Sequence, residues 1–327
     1  MQGGAVTLAE RARERDVHPD VILATDMVNM PVFLALTRDR LADVPVALYC
    51  HENQLTYPVP PGEKRDLTYG MINWLSMLSA DRVFFNSQYH RSDWFDALPK
   101  LLKHFPDYSH LHRIDDVRAK ASVLPVGCDL CRLDPVPKLD TDEAPLILWN
   151  QRWEYDKDPE TFFQALYALQ REGVDFRVAI AGKSYRQTTP EFQAARDRLG
   201  DRVVHFGYAE GEAYDRLLRE ADVVVSTAIH EFFGVSVVEA VYGGCFPLLP
   251  NRLSYPELIP EAFEKRCLYD SFEGLLVHLR WALTNLSEVC SLAEELRTTF
   301  ARFDWKTMAP VYDRQLERQL LRKSQSD

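Results

Sequence analysis

The sequence predicts an α/β protein, and three observations carry that expectation. Short apolar runs alternate with amphipathic helical patterns along most of the chain. A proline-rich, acidic stretch without periodicity, Leu133–Pro145, interrupts the alternation, which then restarts. The length of 327 residues suits two domains of ordinary size. Together these give two Rossmann-like domains, each a parallel sheet with helices on both faces.

The expected N-terminal domain covers 1–134. Thr7–Arg15 has a helical pattern, and Val21–Ala24 is a short apolar run that reads as a buried strand. Met30–Arg40 is an amphipathic helix, Val44–Tyr49 a strand, Leu67–Ser79 a helix and Asp81–Phe85 a strand. Ser122–Val126 is the last strand before the break. A Rossmann-like domain ordinarily opens with a strand and a glycine-rich turn. Here a helical pattern comes first, and Gly3-Gly4 is too short and too terminal to be that turn. The domain is therefore expected to lack its first strand and loop.

Residues 135–145 form the expected linker. The second domain, 146–305, reads as strands at Leu146–Trp149, Phe176–Ala181, Val203–Phe206, Asp222–Ser226 and Phe246–Leu249. Helices are expected at Pro159–Glu172, Glu212–Glu220 and Val235–Tyr242, the last stopping at Gly243-Gly244 as helices often do. A helical tail runs from Phe272 to the end, with 306–327 as a terminal helix.

Composition narrows the function classes. Hydrophobic residues make up 46% and charged residues 27%, which suits a globular protein with two cores. No apolar run approaches the ~20 residues that span a bilayer, and no basic-then-apolar segment opens the chain. The cysteines Cys50, Cys128, Cys131, Cys245, Cys267 and Cys290 are scattered, so a reduced, cytoplasmic protein is expected. The net charge of −11 counts against extensive nucleic-acid binding without excluding a local basic patch.

Three polar loops follow strands. In Ser226–Glu239, a loop with His230 and Glu231 leads into a helix opening at Phe233-Gly234-Val235. The N–H groups and dipole of a helix N-terminus favour a diphosphate, and Gly234 has no side chain to block its approach. Glu231 and Glu239 could accept hydrogen bonds from sugar and ribose hydroxyls; equally, they could be an acidic loop residue and a solvated helical glutamate. In the second loop, Arg152 and Lys157 could neutralise a departing diphosphate or be plain surface cations. The third runs Tyr49-Cys-His51-Glu52-Asn53-Gln54-Leu-Thr-Tyr57-Pro58, a density of hydrogen-bonding groups that is hard to explain by packing, the alternative being a polar capping loop. His51 there could touch a sugar hydroxyl or shuttle a proton.

Weaker signals complete the picture. Gly182-Lys183 follows a strand and could approach a nucleotide. Cys128 and Cys131 form a lone C-x-x-C and read as free thiols rather than a zinc site. Asp140-Thr-Asp142 has a metal-binding spacing but sits in the linker. His104, His110 and His112 share the most basic stretch of the N-terminal half with Arg113, Arg118 and Lys120; such a stretch is usually a solvated face, and it is also a candidate surface for an acidic acceptor. No G-x-G-x-x-G follows any strand, which counts against a dehydrogenase.

On these residues the chain resembles a known family. Glu231–Glu239 is similar to the paired-glutamate motif of retaining GT-B glycosyltransferases of family 4. Arg152 and Lys157 match that family's Arg and Lys pair, and Tyr255-Pro-Glu257-Leu-Ile259 looks like its nucleotide-side loop. The string from His51 to Pro58 more specifically resembles the N-terminal domain of tRNA-queuosine α-mannosyltransferases. The likeness covers about residues 1 to 315, and relatives begin upstream, with a strand and a Gly-Gly-Ser-His loop.

The resemblance implies a GT-B fold, two domains facing across a cleft, and metal-independent retaining transfer without a cofactor. GDP-mannose would be the donor and queuosine in tRNA the acceptor. Glu231 would meet the donor sugar, Glu239 the ribose, Arg152 and Lys157 the diphosphate. Gly182, His230, Phe233, Gly234 and Val235 would join the donor site. His51 would meet the sugar near the reacting carbon, and Glu52, Asn53, Gln54 and Tyr57 the acceptor side. The residues by themselves leave a glycan, lipid or small-molecule acceptor open, as well as a non-catalytic sugar-nucleotide-binding module and any oligomeric state.

Overall fold

A computed structural model describes residues 3–15, 18–59, 64–134, 143–183 and 190–323, with side chains to 317. The chain folds into two compact units, Met1–Pro125 with Ala309–Asp327, and Val126–Met308.

The first unit carries a parallel sheet of β1 (Ile22–Thr25), β2 (Val46–Cys50), β3 (Arg82–Phe85) and β4 (Ala121–Val123), in that spatial order. β2 is buried throughout, as a central parallel strand must be, whereas edge strand β1 alternates between half-buried and exposed. Among the described residues no strand precedes the first helix, Gly4–Glu14. That helix buries Ala5 and Ala9 in the core of the unit. It is tied to the helix Met30–Leu41 by Arg13, which donates to the carbonyl of Leu36 at 2.8 Å, and by Arg40, which donates to the carbonyl of Arg13 at 2.8 Å. Helices at Gln88–His104 and Ile114–Lys120 stand where no periodicity marked them. The former contains Pro99 and mixes charges into its face, so its pattern is masked, although Ser87 caps it by accepting from the N–H of His90.

The second unit carries β5 (Leu146–Trp149), β6 (Arg177–Ala181), β7 (Val203–Gly207), β8 (Val223–Val225), β9 (Phe246–Pro250) and β10 (Leu268–Tyr269). Every pairing is parallel, and the order is β10-β9-β8-β5-β6-β7. The order reverses between β5 and β8. In an open parallel sheet such a reversal leaves a crevice beyond the carboxyl ends of the two strands, where ligands bind. The loops after β5 and β8 are the ones that carry Arg152, Lys157, His230 and Glu231.

The boundary between units falls earlier than the proline-rich stretch suggested. Residues 126–134 belong to the second unit, because Leu130 and Leu133 are buried in its core. The N–H of Cys128 donates to the carbonyl of Phe303 at 2.8 Å, and the N–H of Trp305 returns a bond to the carbonyl of Cys128 at 2.9 Å. The Asp304 carboxylate accepts from the N–H groups of Leu130 and Cys131 at 2.9 and 3.0 Å. The terminal helix begins at Trp305 in the second unit and belongs to the first from Ala309 onward. Residues 135–142, which include the Asp140-Thr-Asp142 spacing, lie outside the described residues. Cys128 and Cys131 are unbridged thiols.

Candidate active site

The residues expected to hold a donor lie in the second unit, in two adjoining groups. The first lines an open pocket of about 440 Å³ above β5 and β6, walled by Asn150, Arg152, Gly182, Lys183, Tyr214 and Glu239 among others. Gly182 is required there. A Cβ on it would stand 2.0 Å from the Gln151 carbonyl oxygen and 2.8 Å from the Trp153 ring. Asn150 and Gln151 join the loop after β5 to the helix Val235–Gly243. Asn150 donates to the carbonyl of Ser236 at 2.8 Å, and Gln151 to the Ser236 hydroxyl at 3.1 Å.

Glu239 stands on that helix with both oxygens engaged. Oε1 accepts from Arg132 Nη2 at 2.7 Å, and Oε2 from the Tyr214 hydroxyl at 3.2 Å. Arg132 also donates to Asp215 at 2.9 Å, so its guanidinium lies between two carboxylates. Burial opposes the charge on Arg132, but Glu239 and Asp215 outweigh it and raise its pKa. Burial, with Glu239 beside it, pushes the Tyr214 phenol well up. Thus the Glu239 carboxylate is held at a pocket wall by two neighbours.

The second group surrounds Lys157. Its buried Nζ donates to the His230 carbonyl at 2.8 Å and Glu231 Oε2 at 3.2 Å, with Asp156 Oδ2 at 3.4 Å. Glu231 Oε1 accepts from the N–H groups of Phe232 and Phe233 at 3.1 and 3.3 Å. Burial works against the Glu231 charge, but the Lys157 ammonium and these N–H groups prevail and lower its pKa. Burial, then the Lys157 charge, depress His230 to about 4, so the imidazole is neutral near pH 7. Arg152 is more open, 41% exposed, with Nη2 3.5 Å from Asp156. Gly234 takes φ +95°, a left-handed conformation, at the N-cap of the helix. A Cβ there would also meet Tyr255 at 3.2 Å. Phe233 is buried against Phe303, so it offers only backbone, while Val235 is exposed.

The structure therefore separates the two glutamates. Glu231 pairs with Lys157, and Glu239 with Arg132 and Tyr214. Arg132, Tyr214 and Asp215 were missed by sequence reasoning, because Arg132 sits just before the linker and nothing local ties it to a helix over a hundred residues away. The surplus of charged residues on the helix Glu212–Glu220 was the available signal.

In the first unit the loop after β2 behaves differently. Asn53 is fully buried, donating to Asp93 at 2.7 Å and accepting from the N–H of Leu55 at 2.9 Å. Thr56 shares the same Asp93 oxygen at 2.5 Å. Arg65 donates to the carbonyls of Gln54 and Tyr57 at 3.0 and 2.7 Å. Gln54 reaches Glu52 at 3.4 Å, and the N–H of Glu52 donates to buried Asp26 at 3.2 Å. Asn53 is thus an internal brace, whereas His51 is exposed, with its ring 4.9 Å from that of Tyr49.

Comparisons with known proteins identify the family and the fold. Residues 1–128 match the family described as tRNA-queuosine alpha-mannosyltransferase N-terminal, and residues 135–291 match glycosyl transferases group 1. A tRNA-queuosine alpha-mannosyltransferase of Drosophila melanogaster is 34% identical over 310 residues, covering 89% of this chain and 79% of the relative. Among solved structures, a sucrose-phosphate synthase from Thermosynechococcus elongatus superposes with a TM-score of 0.73 at 19% identity, covering 97% of this chain and 78% of that one. The Anabaena protein HepE in complex with UDP gives 0.70 at 16% identity, covering 96% and 82%. The chain belongs to the tRNA-queuosine α-mannosyltransferase family and is a glycosyltransferase with the GT-B fold. Among the described residues no helix is long and apolar enough to cross a membrane.

Proposed function

We propose that this family member moves mannose from GDP-mannose to queuosine in tRNA, with retention at the anomeric carbon. The observation that supports the donor half best is the pocket of the second unit at the carboxyl ends of β5 and β6, lined by Arg132, Arg152 and Lys183 together with the Glu239 carboxylate. The sugar and the acceptor are taken from the Drosophila relative, and a tRNA acceptor is consistent with a cytoplasmic reaction.

In this reading Glu239 accepts from the ribose hydroxyls, and the opening of the helix at Gly234-Val235 faces the diphosphate. Arg152 and Lys157 stabilise the charge that grows on the leaving diphosphate, so the transfer is metal-independent. Glu231, kept ionised by Lys157, meets the donor sugar, and His51 is the group offered near the reacting carbon. The C1–O bond to phosphate breaks as the acceptor hydroxyl oxygen bonds C1 from the same face. The hydroxyl proton passes to a phosphate oxygen, and GDP leaves. No protein nucleophile takes part.

The test is transfer from radiolabelled GDP-mannose to total tRNA, with and without queuosine. Label on queuosine-containing tRNA, released by an α-mannosidase, is the expected result. Label appearing instead on a glycan, a lipid or a small molecule would replace the acceptor, and binding of the donor without turnover would make the chain a sugar-nucleotide-binding module.

A further inference from the structure

The first unit carries an exposed patch that the donor chemistry does not use. Between the helices Gln88–His104 and Ile114–Lys120 stand His104, Phe105, Tyr108, His110 and His112, every one exposed. Tyr108 is 83% exposed and Phe105 40%. The Tyr108 and His110 rings lie nearly parallel, 21° apart with centroids at 6.3 Å, and His112 follows at 5.9 Å. His104 and Phe105 meet edge to face at 5.5 Å. Tyr108 and His110 both hold left-handed backbone, φ +49° and +47°, which side chains rarely adopt. The loop thus keeps large rings at its tip where glycine would be the easier residue.

Charge fits the same picture. Lys100 and Lys103 are exposed beside the rings. Over residues 100–120, five cations stand against Asp107, Asp115 and Asp116 in a chain whose net charge is −11. Arg113 pairs with Asp116, Arg118 lies 3.9 Å from Asp115 and Lys120 donates to the Leu78 carbonyl at 3.1 Å, which leaves Lys100 and Lys103 as the exposed cations on the ring side. The core is served by other residues, since Leu101, Leu102, Ile114 and Val117 are buried on either side. Exposed lysines next to the rings set the patch apart from an ordinary protein-docking face, where aromatic residues are common but lysine is depleted. Rings that offer flat faces beside lysines are the usual means of holding unpaired RNA bases along a phosphate backbone.

We infer that the 104–112 loop is the surface by which this protein grips single-stranded RNA, stacking loop bases on Tyr108 and its neighbouring imidazoles. The inference rests on the tRNA acceptor reading and adds the surface that would hold that RNA.

The test is fluorescence anisotropy of the full chain with a labelled tRNA anticodon hairpin and, for contrast, a fully paired RNA duplex. The wild type should prefer the hairpin. Tyr108→Ser combined with His110→Ala should weaken hairpin binding about tenfold, while Tyr108→Phe, which keeps the ring, should not. GDP-induced thermal stabilisation should be the same in all variants, since these residues lie outside the donor unit. Hairpin binding undiminished in the double variant would overturn the surface and leave the acceptor reading intact. A wild type that binds no tRNA hairpin would remove both.

Discussion

The two units use their polar loops in opposite ways. In the second unit, charged side chains pair between distant segments: Lys157 with Glu231, and Arg132 with Glu239 and Asp215. The Arg132 group walls a pocket, and the Lys157 group lies beside it. After β2, the polar run mostly folds back on itself, with Asn53 and Thr56 on Asp93 and Arg65 on the loop carbonyls. Most of the loop after β2 is scaffold for the exposed side chain of His51. A dense polar string therefore marks a site without saying which of its members face the ligand.

The largest effect that would sharpen this contrast comes from Lys157→Ala. It strips a buried cation from Glu231 and Asp156 and should cost about 3–5 kcal/mol, read as the midpoint of denaturant unfolding. A loss under about 1 kcal/mol would mean that the Lys157 group is not a closed network.

Next is the pH dependence set by His230. Its folded pKa of about 4 lies below the ordinary 6.5, so the unfolded chain binds the extra proton between those values. Stability present above pH 6.5 is lost as pH falls toward 4, by at most about 3 kcal/mol. His230→Gln should flatten that part of the profile relative to wild type. Parallel profiles for the two proteins would show that His230 does not carry the effect.

Asn53→Ala probes the other side of the comparison. Leaving Asp93 short of a buried donor should lower stability by about 1–3 kcal/mol, with GDP-induced stabilisation unchanged. Stability equal to wild type combined with lost transfer would instead make Asn53 a substrate contact. The smallest effect is expected for Arg132→Gln. Glu239 keeps Tyr214 as a partner, so GDP binding should weaken by a factor on the order of ten. Binding equal to wild type would show that Glu239 needs no help from Arg132.

These residues also show how far the sequence could be read. The central strands were legible because a buried parallel strand is a continuous apolar run: Leu146–Trp149 matches β5 in full. The loops at their ends were legible because Gly234 and Gly182 mark close backbone approaches. The helix Gln88–His104 was hidden by its internal proline, and β10 by being only two residues long. Arg132 was hidden for a different reason. Its partners Asp215 and Glu239 are distant in sequence, and the core that holds them together is formed only when residues 126–134 pack into the second unit. Local patterns report elements and strand ends; pairing between distant charges depends on the fold.

The central claim is that the second unit holds the donor nucleotide through the pocket walled by Glu239. The direct measurement is thermal stabilisation of the full chain by GDP, UDP and ADP, run in parallel on wild type and Glu239→Ala. A shift that is largest with GDP and lost in the variant is the predicted result. A shift of equal size in Glu239→Ala, or none with any nucleotide in the wild type, would contradict it.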